Sequence, residues 1–348
     1  MVCAAINGFG RIGRLTFRVA LQNYSDQIEI VAINTSGSLD VAGWAHLLRY
    51  DSVYGKFEKQ IQIENSGSVD PEIGALVIDG KRYPMLAQRE PSRIPWSKYQ
   101  ADVVIESTGV FTSSEGAKQH FVGGAKKVVI SAPAKDDSIG TYVLGANEYK
   151  GEQNIISNAS CTTNCVAPIA AIMVSKIGIK KAALSTVHAL TAEQNIVDGS
   201  PPGGHSSDLG RARAYNNIIP TTTGAAHAAA KAVKELEGLF DGISLRVPVI
   251  CGSITDFTFV TARPTTVEEI NNIFKEAADD PRWKGIVAVT DEQLVSSDIL
   301  GRTESAIVDL NLTRVIDGDL VKVMAWYDNE WGYTTRLVEQ TIKVGEQV

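Results

Sequence analysis

A cysteine, a distant histidine and a few arginines carry the chemistry open to this chain of 348 residues. Cys161 sits in the run Ser157-Asn158-Ala159-Ser160-Cys161-Thr162-Thr163-Asn164-Cys165. Small polar residues flank it, and the apolar residues 166–174 that follow read as a buried helix. A thiol at a helix N-terminus meets unpaired N–H groups and the positive end of the helix dipole, which favour the nucleophilic thiolate. A cysteine nucleophile also needs a base or an ion-pair partner, commonly a histidine far away in sequence. His188, near the end of the strand-like residues 180–191, fits that need. Each has a plainer reading when taken alone, because free cysteines commonly pack in cores.

A second kind of chemistry lies at the N-terminus. Gly8, Gly10 and Gly13 have G-x-G-x-x-G spacing, with an apolar run (residues 2–6) before them and a helical stretch (residues 15–21) after. In a strand–turn–helix unit the first glycine permits the tight turn. The second lets backbone approach a pyrophosphate, and the third lets helix pack on strand. Arg11 and Ile12 lie within the same loop, whose N–H groups point at the phosphates. The next strand, residues 28–33, runs into Asn34, Thr35 and Ser36. An Asp or Glu at such a strand tip binds the ribose hydroxyls of NAD. Here the first carboxylate is Asp40, so the tip leans toward NADP, or toward use of both NADP and NAD. Hydroxyls there could donate to a 2′-phosphate. Ser107, Thr108 and Gly109 follow another strand, at the end where α/β sheets bind ligands.

Arginines and hydroxyls gather in the second half. Arg211, Arg213, Thr223 and Gly224 lie in a loop-rich stretch, and Arg246 sits among apolar neighbours. Such groups can cradle a phosphate, and a solvated basic loop is an equal reading for the stretch. Arg246 is costly to bury unpaired, so a carboxylate of the protein or a substrate phosphate should meet it.

The elements that must position these groups follow from pattern and composition. The length suits two domains at roughly 150 residues each. Hydrophobic residues make up 44% and charged residues 21%, as in ordinary globular proteins, and the net charge of −7 argues against nucleic acid or an anionic membrane as partner. Four cysteines make neither a disulfide framework nor a zinc motif, so no metal is expected. Asn7, Arg11 and Arg14 break up any leader-like apolar run, and a reducing cytoplasm is the expected location. Alternating strands and helices in the first half predict a doubly wound, Rossmann-type parallel sheet. Residues 77–83 carry an Asp79-Gly80 hairpin signal. Successive strands after residue 180 predict an α+β domain with a mixed, largely antiparallel sheet. A final helix is expected over residues 334–344.

The chain resembles the glyceraldehyde-3-phosphate dehydrogenase family almost end to end. The resemblance rests on residues 7–14, 131–135, 157–165, 188–191, 220–226 and 326–333. It implies a dinucleotide-binding domain over residues 1–160, closed by the C-terminal helix 329–348, and a catalytic domain over 161–328. It implies that Cys161 attacks an aldehyde, that His188 acts as base, and that hydride passes to a nicotinamide. Inorganic phosphate then releases the acyl group from the thioester. It makes Asn329 the residue that holds the nicotinamide carboxamide. Thr191 and Arg246 would form one anion site, and Ser160, Thr162, Arg211, Thr223 and Gly224 the other. A homotetramer is implied too. This chain departs from NAD-specific members in having Thr35 where they carry Asp. Its loop at residues 199–205 is longer than usual, and Ser206 or Ser207 could assist with a 2′-phosphate. Two alternatives stand: an erythrose-4-phosphate dehydrogenase, and a non-catalytic dinucleotide-binding protein.

Overall fold

The computed structural model describes residues 1–201 and 209–348 and divides the chain into two units. The first unit holds Met1–Tyr142, Tyr149–Ala159 and Thr334–Val348. The second holds Val143–Glu148 and Ser160–Tyr333.

In the first unit the apolar β1 (Val2–Asn7) leads through the glycine turn into α1 (Arg11–Asn23) and back to β2 (Ile28–Thr35), parallel to β1. α2 (Val41–Arg49) starts where Asp40 accepts from the Gly43 N–H at 2.8 Å, satisfying one orphan donor of the first turn. A small ribbon, β3 (Tyr50–Asp51) with β4 (Gly55–Lys56), precedes an antiparallel meander of β5 (Ile61–Val69), β6 (Glu72–Ile78) and β7 (Lys81–Ala87). The expected hairpin is present: Asp79 and Gly80 both have positive φ, 52° and 77°, as a tight two-residue turn requires. Then come β8 (Val103–Glu106), α3 (Ser114–Val122), β9 (Lys127–Ile130), β10 (Gly140–Thr141) and β11 (Ile155–Ser157). The sheet order is β10-β11-β9-β8-β1-β2-β7-β6-β5. From β10 to β7 every neighbour is parallel, the doubly wound pattern expected from sequence; β6 and β5 add an antiparallel edge. The parallel strands are buried on both faces, as their unbroken apolar runs require.

The second unit starts with α4 (Cys161–Lys176), which is buried from Thr162 to Met173. A helix apolar all round can only sit inside a core. It begins five residues before the apolar run because Ser160 caps it: Ser160 Oγ accepts from the Thr163 N–H at 3.1 Å. The chain continues through β12 (Ile179–His188), β13 (Ile219–Thr222), α5 (Ala225–Ala232), β14 (Phe240–Arg246), β15 (Ser253–Thr261) and α6 (Val267–Asp279). β16 (Val287–Thr290), β17 (Ala306–Asp309), β18 (Arg314–Ile316) and β19 (Leu320–Tyr327) complete the unit. The order is β13-β14-β12-β15-β19-β17-β16, with β18 also on β19. Only β12/β14 and β16/β17 pair in parallel, so the sheet is mixed and mainly antiparallel.

The last helix, α7 (Trp331–Gly345), starts three residues earlier than the sequence pattern indicated. Asp328 Oδ1 accepts from the N–H groups of Glu330 and Trp331, at 2.9 and 2.8 Å, and so draws the start forward. From Thr334 on, α7 belongs to the first unit, where Gly345 lies against the opening residues of β1. A Cβ at Gly345 would come 2.2 Å from Val2 Cγ1.

Candidate active site

α4 presents Cys161 as its first residue, and β12 ends on His188. Cys161 Sγ lies 3.4 Å from His188 Nε2. Parallel pairing of β12 with β14 sets Arg246 opposite His188 in register. Its Nη1 stands 2.5 Å from His188 Nδ1 and 3.2 Å from the Ala189 carbonyl. That carbonyl is 2.7 Å from Nδ1 and can only accept, so Nδ1 holds the proton and Nε2 faces the thiol unprotonated. Arg246 donates to the Ala189 carbonyl and lies within hydrogen-bond distance of the imidazole as well. Burial first, and the Arg246 charge second, pull the His188 pKa down to about 3. At neutral pH the ring is a neutral acceptor.

The thiol departs from the expectation of a helix terminus that favours thiolate. Burial pushes the Cys161 pKa up, and Arg246 and the hydrogen bonds of Thr162 only partly oppose it. Cys165, one turn on, is fully buried, and burial pushes its thiol up as well. It packs as core.

One more group braces the pair. Tyr327, at the end of β19, is buried, and its hydroxyl lies 3.1 Å from Thr162 Oγ1 on α4 and 2.8 Å from Thr186 Oγ1 on β12. Its ring meets His188 edge-on, with centroids 5.9 Å apart. Sequence reading did not reach Tyr327, because nothing local marks a tyrosine that ties two elements far apart in the chain.

The expected anion groups are placed unevenly. Thr191 follows His188 by one short turn, and its N–H and hydroxyl both approach Gln194 Oε1, at 2.8 and 3.2 Å. Arg246 meets no carboxylate among the described residues, and its Nε is buried without a partner. The Ala189 carbonyl takes one of its donors instead. Arg211 is buried and ion-paired to Glu193, and Arg213 pairs with Asp198 at 2.9 Å. Thr162 turns its hydroxyl inward to Tyr327, so its side chain braces α4 and leaves the backbone at Thr162 for the expected anion site. Ser160 Oγ caps α4 and lies 2.8 Å from Thr163 Oγ1. Thr223 Oγ1 accepts from the Ala225 N–H at 3.2 Å, and Gly224 opens α5. Residues 202–208, including His205, Ser206 and Ser207, lie outside the described residues.

The first unit holds a cavity of about 530 Å³ at the strand tips. Gly8, Gly10, Asn34, Thr35, Ser36, Ser107 and Thr108 line it, as do Trp44, Gln88 and Arg89, which the sequence had not marked. Gly8 has φ of +100°, and a Cβ on Gly13 would strike the Gly8 carbonyl at 2.0 Å; both positions demand glycine for packing. A Cβ on Gly10 would meet nothing within 4 Å, so space is left over the first turn of α1. Arg11 turns to Asp51, at 2.8 and 3.2 Å, and Ile12 is half-buried beside it. Ser107 Oγ donates to the Gly8 carbonyl at 2.8 Å, and Gly109 has φ of +74°. Thr35 lines the cavity, but its hydroxyl donates to the Leu86 carbonyl at 3.0 Å. Ser36 is exposed, and Arg89 Nε donates to the Ser36 carbonyl at 3.3 Å. No carboxylate is among the lining residues, and Arg89 is their one charged side chain.

Asn329 lies in the second unit. Its Oδ1 accepts from Gly252 N–H and Ser253 Oγ, at 3.0 and 2.9 Å. Its Nδ2 has no partner among the described residues, which leaves an amide donor for a ligand.

Comparison with known proteins agrees across the chain. Residues 2–114 match the model described as the NAD binding domain of glyceraldehyde 3-phosphate dehydrogenase, and residues 160–329 match the model of its C-terminal domain. The chain is 49% identical to glyceraldehyde-3-phosphate dehydrogenase of Streptomyces coelicolor, over 99% of this chain and 98% of that one. It is 45% identical to the Zymomonas mobilis protein of the same name, over 99% of both chains. Glyceraldehyde-3-phosphate dehydrogenase 2 of Trichormus variabilis is also 45% identical, over 100% of this chain and 99% of that one.

Proposed function

The chain belongs to the glyceraldehyde-3-phosphate dehydrogenase family, and we propose on that footing that it is an NAD(P)-dependent, phosphorylating dehydrogenase of glyceraldehyde 3-phosphate. The observation that carries the proposal is the Cys161–His188 contact at the head of α4. The first unit would bind the dinucleotide and the second would hold the aldehyde.

Cys161 Sγ adds to the aldehyde carbon as His188 Nε2 takes the thiol proton. The alkoxide that forms accepts from the imidazolium and from the Cys161 N–H, one of the free donors of the first turn. His188 passes its proton to that oxygen, giving a hemithioacetal and a neutral ring. The nicotinamide, when bound, would supply the acceptor for the hydride that leaves the hemithioacetal carbon. His188 takes the hydroxyl proton in the same step, and its neutral state at pH 7 suits it to do so. A thioester on Cys161 remains. Inorganic phosphate displaces the thiolate and leaves as the acyl phosphate, 1,3-bisphosphoglycerate. Arg246 and Thr191 would hold one phosphate. Ser160, Thr223, Gly224 and the backbone at Thr162 would hold the other, together with Arg211 once it releases Glu193. Asn329 Nδ2 would donate to the nicotinamide carboxamide.

We further propose that NADP is preferred. A cavity without a carboxylate and with Arg89 beside Ser36 tolerates a 2′-phosphate that an acid at the strand tip would repel. A homotetramer in a reducing cytoplasm completes the reading.

Initial rates with glyceraldehyde 3-phosphate, with and without phosphate, and with NADP and NAD in parallel, test it. Phosphate-dependent reduction that Cys161→Ser abolishes is expected, with the higher kcat/KM for NADP. Turnover of erythrose 4-phosphate alone, or none with either cofactor, would overturn the activity. A strong preference for NAD would overturn only the cofactor choice.

A further inference from the structure

Beneath the cavity of the first unit lies a carboxylate that the mechanism does not use. Glu106 ends β8 and is 1% exposed. Four donors converge on it. Oε2 accepts from Asn7 Nδ2 at 2.6 Å and from His120 Nε2 at 3.0 Å. Oε1 accepts from the Thr108 N–H at 2.9 Å and from the Thr108 hydroxyl. His120, on α3, is buried too, and its Nδ1 lies 3.0 Å from Trp96 Nε1. An indole N–H can only donate, so Nδ1 is the acceptor and the His120 proton sits on Nε2, aimed at Glu106. Two donors meet each oxygen of Glu106, so the group serves as an acceptor on every side.

An acceptor-only group fixes the direction of the amide that donates to it, and the Gln88 backbone holds Asn34 in the matching sense. Asn7 must turn Nδ2 to Glu106, which leaves its Oδ1 to accept from Asn34 Nδ2 at 2.7 Å. Asn34 then shares Nδ2 with the Gln88 carbonyl at 2.8 Å and offers Oδ1 to the Gln88 N–H at 3.0 Å. The chain crosses the tips of β8, β1 and β2 and reaches the residue after β7. Asn7, Asn34, Gln88 and Thr108 all line the cavity; Glu106 does not.

We propose that Glu106 is a positioning residue for the dinucleotide, setting the donor and acceptor directions of the cavity floor without touching the ligand. The proposal rests on reading that cavity as the dinucleotide site. A neutral amide at position 106 must turn its NH2 group toward donors, and Asn7 or Thr108, both in the cavity lining, must turn to answer it. A cavity floor so reversed presents the wrong partners to its ligand.

The test is binding of NADP and NAD to the whole protein by calorimetry, wild type against Glu106→Gln. At least tenfold weaker binding of both is expected. The KM for aldehyde and the rate of iodoacetamide alkylation of Cys161 in cofactor-free protein should stay within twofold. Binding within twofold of wild type overturns the proposal, and so does an equal loss in alkylation, which would mark a general structural role. Should Glu106→Gln fail to fold, His120→Gln and His120→Leu decide. The Gln keeps a donor at the place of Nε2 and should bind within threefold of wild type, whereas the Leu should lose fivefold or more. Equal binding by those two overturns the proposal. A wild-type protein that binds neither dinucleotide overturns the reading of the cavity itself, a result separate from any difference between variants.

Discussion

Replacing Tyr327 by Phe removes one oxygen and keeps the ring against His188. That oxygen is shared by Thr162 on the helix that carries Cys161 and by Thr186 on the strand that carries His188. Both threonines are buried. A lost hydrogen bond costs about 0.5–1.5 kcal/mol, and a buried hydroxyl left unmatched about 1–3 kcal/mol. Thr186 keeps a long bond to the Ile254 carbonyl, at 3.4 Å, so its loss is partial. Together these place the cost near 2 kcal/mol. At about 2–4 °C per kcal/mol for a unit of this size, the thermal midpoint should fall by roughly 4–8 °C. The functional effect is read separately. With the two elements no longer tied, the 3.4 Å approach of Sγ to Nε2 should loosen, and alkylation of Cys161 by iodoacetamide should slow at least threefold. A double-mutant cycle sharpens the test. Thr186→Val should cost less in the Tyr327→Phe background than in wild type, by about 1 kcal/mol, because it removes a hydroxyl already left without its better partner. A midpoint within 1 °C of wild type, with an unchanged alkylation rate, would refute the brace. Strict additivity in the cycle would refute the sharing of one oxygen.

Three further outcomes follow from the same geometry. His188 has a pKa near 3 in the fold against 6.5 when free, so between those values the unfolded chain binds a proton that the native one does not, and stability falls as pH falls. Urea midpoints at pH 7 and pH 5 should show about 2 kcal/mol of acid loss in wild type that His188→Gln lacks. Gly10→Ala should fold normally and weaken dinucleotide binding at least tenfold, whereas Gly13→Ala should destabilise the first unit, visible as a lower thermal midpoint. Arg89→Ala should raise the KM for NADP about tenfold and leave that for NAD within twofold, as steady-state rates would show.

Much of this was legible from residue types. β1 and β8 are short apolar runs, and Gly8, Gly10 and Gly13 fall at spacings that only a few turns need. The apolar residues 166–174 marked the buried body of α4. What sequence could not show is where a side chain turns. Thr35 has the type expected of a ligand for 2′-phosphate, yet its hydroxyl satisfies the Leu86 carbonyl, because that residue is buried and solvent cannot supply the donor. Arg211 has the type expected of an anion ligand, yet Glu193 lies close enough to hold it. Trp44, Gln88 and Arg89 sit in a stretch with no motif, and only the sheet order that places β7 beside β2 brings the last two to the cavity.

The place of α7 has a consequence for how the protein is made. The first unit takes its opening strand from residue 2 and its closing helix from residues beyond 333, with Gly345 seated against Val2. On the ribosome, the sheet of the first unit, whose last strand ends at Ser157, must therefore wait without its closing helix while residues 160–333 are synthesised. At about 5–20 residues per second that wait is roughly 10–35 s. Throughout it, the apolar surface meant for Leu337, Val338 and Ile342 is bare and open to chaperones or to a neighbouring nascent chain. A stop codon late in the message would then spoil the unit that is translated first.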